Sequence, residues 1–188
     1  MTPAELHRKS VDSITRVIEN IKPEQMSTAT NLKWDVKGVL NHILGLQYAS
    51  PHIFAGEPMP KGEHDDIGEK DMVGDDVMKA WKEATDAANQ AIAGADMEKI
   101  VHLSFGDLPG MVFANILSSE VLIHGWDIAH STGQDDALDT EAVEAFYAFY
   151  EPQRQMLRES GAFGDKEAEV SPDADLQTRL LALLGRKR

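Results

Sequence analysis

One segment limits the possible folds of this chain more than any other: residues 113–132, FANILSSEVLIHGWDIAHST. As a helix at about 100° per residue, it sets Glu120 and His124 about 40° apart and brings Asp127 within roughly 20° of Glu120. Phe113, Ile116 and Leu117 extend that face toward the N-terminus, while Val121, Leu122, Ile123, Trp126 and Ile128 cover the remaining sides. A helix that is apolar nearly all round belongs in the middle of its fold. Three ionisable groups therefore ride on a stripe that faces the interior, where an unpaired charge costs several kcal/mol. They must be paired with one another, protonated or bound to a metal.

The rest of the composition narrows the chemistry. The chain of 188 residues is long enough to bury a substantial core, and residues 1–188 are expected to form a single domain. It contains no cysteine, which excludes disulfides, thiolate metal ligands and a protein thiol nucleophile. Any thiol chemistry must bring its sulfur in on a small molecule. A net charge of −14 opposes binding to nucleic-acid phosphates and to an anionic membrane surface. The opening residues MTPAELHRKSVDSI lack the apolar run of a signal peptide, and no stretch reaches the roughly 18 apolar residues of a membrane span. A cytoplasmic protein is expected.

Helices account for most of the chain. Thr2-Pro3 predicts a helix start, with an apolar face from Leu6 to Ile21 and a stop at Lys22-Pro23. A polar connection over 23–34 leads to Asp35, which can cap a second helix from Val36 to about Phe54; Pro51 predicts a kink or an early end. Residues 56–76, with two prolines, four glycines and a run of acids, read as a long loop, either a lid or a solvated acidic connection. A third helix covers about 75–93 and stops at Gly94. Residues 99–105 are β-prone and are closed by Gly106-Asp-Leu-Pro-Gly110, which predicts an extended crossover outside any sheet. The apolar helix follows from about 109 to 131, with Gly133 placed to terminate it. A fifth helix is predicted from about 139 through Glu159, ended by Gly161, and a last one opens at Ser171-Pro172. The pattern is that of a helical bundle.

His42 lies midway along the second helix with Gly38, Val39, Gly45 and Leu46 on its own face, and the glycines leave room beside the imidazole. Together with Glu120 and His124, spaced i, i+4 on the apolar helix, it offers two imidazoles and one carboxylate. Three protein ligands and an open position suit catalytic zinc, and the same donors suit nickel or iron. On spacing alone, a buried Glu–His hydrogen-bonded pair explains the pattern as well.

The segments WDVKGVLNHILGLQ (34–47), LSFGDLPG (103–110), SEVLIHGWDIAHSTGQ (119–134) and RLLALLGR (179–186) resemble an actinobacterial metal-binding family. That family is related to the N-terminal domain of mycothiol-dependent maleylpyruvate isomerase, within the DinB/YfiT-like superfamily. The resemblance implies an all-α, DinB-like four-helix bundle with additional short C-terminal helices. It implies a divalent metal held by His42, Glu120 and His124, zinc above nickel or iron, and mycothiol as a cosubstrate. The chain is read as lacking the isomerase's further C-terminal domain, and His130 stands where a basic residue is more usual in the family.

Two functions fit these residues. One is a metal-dependent enzyme using a low-molecular-weight thiol, or a metal-bound water, on a small electrophile; the other is a bundle that binds metal or a small molecule without turnover. Asp127 is a candidate acceptor for the second nitrogen of a ligand imidazole, or a partner for a neighbouring helix. His7, His52, His64, His102 and His130 read as surface or loop-adjacent, and Trp34, Trp81 and Trp126 as core anchors. Phe146, Tyr147, Phe149 and Tyr150 form an aromatic cluster that points to a homodimer, unless the C-terminal helix covers it.

Overall fold

Three of the four long helices begin at a residue whose side chain accepts an otherwise unpaired backbone N–H. In the computed structural model, which describes residues 1–57, 70–160 and 167–188, Thr2 opens α1 (Pro3–Glu19) with a capping box. The Thr2 hydroxyl accepts from Glu5 N at 3.3 Å, and the Glu5 carboxylate accepts from Thr2 N at 2.7 Å. Asp35 caps α2 (Val36–Ala55) by accepting from Gly38 N at 2.8 Å, and Asp76 caps α3 (Val77–Gly94) by accepting from Lys79 N at 3.0 Å. The apolar segment forms α4 (Gly110–Thr132), entered directly from a β-hairpin and ended by Gly133 in the left-handed region at φ 68°.

Pro51 does not shorten α2, which runs on to Ala55. Proline supplies no N–H to the carbonyl one turn back, and the Ser50 hydroxyl donates to that carbonyl, Gln47 O, at 2.8 Å. The β-prone stretch departs from the expected crossover. β1 (Ile100–Leu103) pairs antiparallel with β2 (Gly106–Pro109), Ile100 opposite Pro109 and Leu103 opposite Gly106. Gly106 takes φ 143°, which a side chain would resist, so the chain turns back within two residues. Val101 is buried by this arrangement in a cluster with Leu46, Ile53, Ile92, Phe113 and Leu117.

Two compact units result, Met1–Ala137 and Leu138–Arg188. In the first, α1 packs on α4, α4 on α2, α2 on α3 and α3 on α1, closing a four-helix ring. Ile14, Ile18, Leu40, Leu44, Trp81, Leu122 and Trp126 fill its centre. The α1–α4 contact is close because Gly125 has no side chain: a Cβ there would stand 2.4 Å from Ile14 Cγ2. His7, expected at the surface, is instead fully buried. Its Nδ1 lies 2.8 Å from Asn89 Oδ1 and its Nε2 2.7 Å from Gln47 Oε1, so polar partners on α3 and α2 replace the water it gives up.

In the second unit the predicted single helix is broken. α5 (Thr140–Tyr150) passes into a 3₁₀ turn at Glu151–Gln153 and then α6 (Arg154–Ser160), because Pro152 interrupts the helical hydrogen bonds. α7 (Leu176–Leu183) starts later than predicted, where Asp175 accepts from Thr178 N at 2.7 Å. Phe146 and Tyr150 are buried, and Tyr147 and Phe149 half-buried, so the aromatic cluster is not the open patch on which a dimer was expected. Residues 58–69 of the acidic connection, with His64, and the predicted stop at Gly161 lie outside the described residues. Among the described residues, no helix is long and apolar enough to cross a membrane.

Candidate metal centre

Because α2 and α4 are neighbours in the ring, the middle of one faces the middle of the other, and His42 meets Glu120 and His124 there. Glu120 Oε2 lies 3.0 Å from His42 Nε2 and 3.0 Å from His124 Nε2. One ligand atom from each of the three residues falls within 4.8 Å of the others. The imidazoles stand almost perpendicular, at 85° with centroids 5.0 Å apart, so both present an edge nitrogen to the same carboxylate. His42 and His124 are buried and Glu120 is half-buried.

The second nitrogen of His124 is also engaged. Its Nδ1 donates to Asp127 Oδ2 at 3.0 Å, and Asp127 is almost completely buried. Asp127 thus acts within its own helix, as the acceptor that the spacing suggested. Burial opposes charge on His124, but Glu120 and Asp127 outweigh it and push the imidazole up to about 9. Burial would likewise raise Glu120, yet His124 and His42 hold it well below the usual carboxylate range. Two carboxylates and two imidazoles make a cluster that favours added positive charge, whether protons or a cation.

Trp34 completes the site, and the sequence reading had placed it in the core. Its ring stacks on His42 with centroids 4.8 Å apart and planes 28° from parallel, and it meets His124 at 6.5 Å and 68°. Lys33 Nζ lies 4.7 Å from the same indole centroid. In the sequence Trp34, Gly38 and His42 stand four apart, but Trp34 precedes α2, so helical periodicity does not reach it. The other described histidines do not join the site. His52 pairs with Glu57 and His102 with Asp107, at 2.8 and 2.9 Å, all exposed. His130 stacks on Trp126 and approaches Asp136 at 3.3 Å.

No family model matches the chain. Two uncharacterized proteins of Mycobacterium tuberculosis, from strains CDC 1551 and H37Rv, are each 28% identical to it over 192 residues, spanning 99% of this chain and 98% of theirs. Among solved structures, that of the mycothiol-dependent maleylpyruvate isomerase superposes with a TM-score of 0.67 at 14% identity, over 98% of this chain and 88% of the isomerase chain. The chain therefore has the all-α, DinB-like fold of that protein.

Proposed function

We propose that this protein is a divalent-metal-dependent enzyme that acts with a low-molecular-weight thiol, mycothiol or one like it, on a small electrophilic substrate, as an isomerase or transferase. The observation that carries the reading is the convergence of His42, Glu120 and His124 within 4.8 Å on facing helices. The likeness in fold to a mycothiol-dependent isomerase supports it.

The residues fit the metal they would hold. Two imidazole nitrogens and one carboxylate oxygen are a donor set for zinc first, and for nickel or iron as alternatives. With Nδ1–H committed to Asp127, release of the Nε2 proton would leave the His124 lone pair on the Glu120 side, as a ligand must have it. A bound divalent metal would lower the pKa of a thiol at its open position and so make the thiolate available at neutral pH.

The chain's own residues account for the surroundings. His42 and His124 supply neutral donors, Glu120 supplies negative charge, and Asp127 fixes the tautomer of His124. Trp34 covers one side of the site by stacking on His42. The absence of cysteine means that the nucleophilic sulfur comes from the cosubstrate and not from the protein. The reading assigns the protein to the cytoplasm, where a low-molecular-weight thiol would be held reduced.

The test is consumption of a small electrophile, such as an activated alkene or alkyl halide, by the purified protein with and without thiol and with and without a chelator. Thiol-dependent turnover that a chelator removes and added metal restores is the expected result. Metal uptake without turnover of any electrophile would make this a binding protein instead.

A further inference from the structure

Trp34 is an aromatic residue that the core does not need. Trp81 and Trp126 are 2% and 0% exposed, whereas Trp34 is half-buried and lies on His42. Its place is set by the backbone before α2 and not by the three candidate ligands. Trp34 O accepts from Thr30 Oγ1 at 2.6 Å, and the same oxygen of Thr30 accepts from Leu32 N at 3.1 Å. Ala29 pairs with Asp35, and Val36 N donates to Thr28 O at 3.0 Å. This loop is closed onto the first turn of α2. The indole fits there because residue 38 has no side chain: a Cβ would stand 2.8 Å from Trp34 Cβ and 3.1 Å from Trp34 Cγ. The crowded Trp34 Cβ is fixed by the backbone, so turning the side chain does not relieve the clash.

We propose that Trp34 is a positioning residue of the metal centre, laid on His42 through the gap at Gly38 so that the imidazole is held with Nε2 toward Glu120. The inference rests on the metal-centre reading above and adds to it what orients the α2 ligand. An unrestrained imidazole turns about its Cβ–Cγ bond, and only some orientations bring Nε2 to the observed 3.0 Å from Glu120 Oε2. Stacking suits this task for a physical reason. It restrains the ring through its face and leaves both edge nitrogens open to other partners. On the other helix, Asp127 orients His124 by a hydrogen bond. The two ligand imidazoles are thus held by different means, one by a carboxylate and one by a ring.

The experiment uses the full chain and Co²⁺ alone as the probe, with visible absorption reporting coordination. Trp34→Ala weakens Co²⁺ binding by roughly three- to tenfold, the range of an aromatic contact, and alters the absorption bands. Trp34→Phe, which keeps a flat face, stays close to the unsubstituted protein. Gly38→Ala behaves like Trp34→Ala although the tryptophan is still present. Circular dichroism and thermal unfolding establish that each variant is folded. A second readout needs no metal and no variant: the His42 ring protons of the metal-free protein are displaced in the NMR spectrum by the indole ring current. Unchanged Co²⁺ affinity and bands in both Trp34→Ala and Gly38→Ala would overturn the proposal and leave the metal centre standing. Undisplaced His42 resonances would overturn the stacking itself, and no Co²⁺ uptake by the unsubstituted protein would overturn both readings.

Discussion

His124 and Asp127, one turn apart on α4, are joined through Nδ1 and Oδ2 at 3.0 Å in a nearly water-free position. The carboxylate fixes which nitrogen carries the proton and raises the basicity of the other. Asp127→Asn keeps the shape but loses the charge, and an amide can donate where the carboxylate only accepts. Zinc affinity, measured by competition with a chromophoric chelator, is expected to fall about 10- to 100-fold. An unchanged affinity would mean that the contact serves the fold alone.

The three ligands are not expected to be equal. His124→Ala leaves His42 and Glu120 on different helices and destroys the i, i+4 pair, so metal uptake is lost. Glu120→Gln retains an oxygen donor but not its charge and weakens uptake less. The reverse order, found by titrating both folded variants with zinc, would assign the ligands differently.

Acidity acts on the same pair. In the metal-free protein the folded-state pKa of His124 is raised to about 9, above the unperturbed value of roughly 6.5. The unfolded chain therefore loses this proton first as pH rises. The pair's contribution to stability is complete below about pH 6.5 and disappears as pH climbs through about 9. Urea unfolding of metal-free protein at pH 7 and pH 9.5 should show the loss. At subsaturating metal the direction is opposite, since protons compete for Nε2 and occupancy rises over the same interval.

His7 titrates in the other sense. Burial lowers its pKa, against the hydrogen bonds to Asn89 and Gln47 that raise it. The unfolded chain takes up the proton first as pH falls, so stability is full above about 6.5 and declines below it. His7→Leu leaves both amides without their partner and is expected to cost about 1–3 kcal/mol at pH 7.5. The difference between variant and unsubstituted protein should narrow toward pH 5.5, as followed by chemical denaturation.

At Gly125 the prediction concerns packing. Gly125→Ala drives a methyl group into Ile14, 2.4 Å from its Cγ2, and should destabilise by about 1–3 kcal/mol. Adding Ile14→Val to the same chain should recover part of that loss. A double-mutant cycle read by thermal unfolding would show additivity if the two residues did not meet.

Much of this architecture is legible in the sequence, and the exceptions have causes. The apolar length of residues 113–132, the caps at Thr2 and Asp35 and the apolar pattern over about 75–93 define four helices, and periodicity sets Glu120, His124 and Asp127 on one side. Periodicity within a helix does not reveal what lies across from it. His7 looks like a polar residue near a helix start, and only the approach of Asn89 and Gln47 makes its burial tolerable. Trp34 precedes its helix, so no helical face includes it, and its contact with His42 depends on the missing Cβ of Gly38. The hairpin escaped because its strands are four residues each, too short for alternation to separate pairing from extension. Pro51 was weighed as a helix breaker because the compensating Ser50 hydroxyl is a contact and not a pattern.

The central claim is that His42, Glu120 and His124 bind one divalent ion, and elemental analysis of the purified protein tests it most directly. The account predicts about one equivalent of zinc, nickel or iron per chain after metal loading and desalting, and none in a folded His124→Ala variant carried through the same steps. A protein that retains no metal, or a His124→Ala variant that retains as much as the unsubstituted chain, would contradict it.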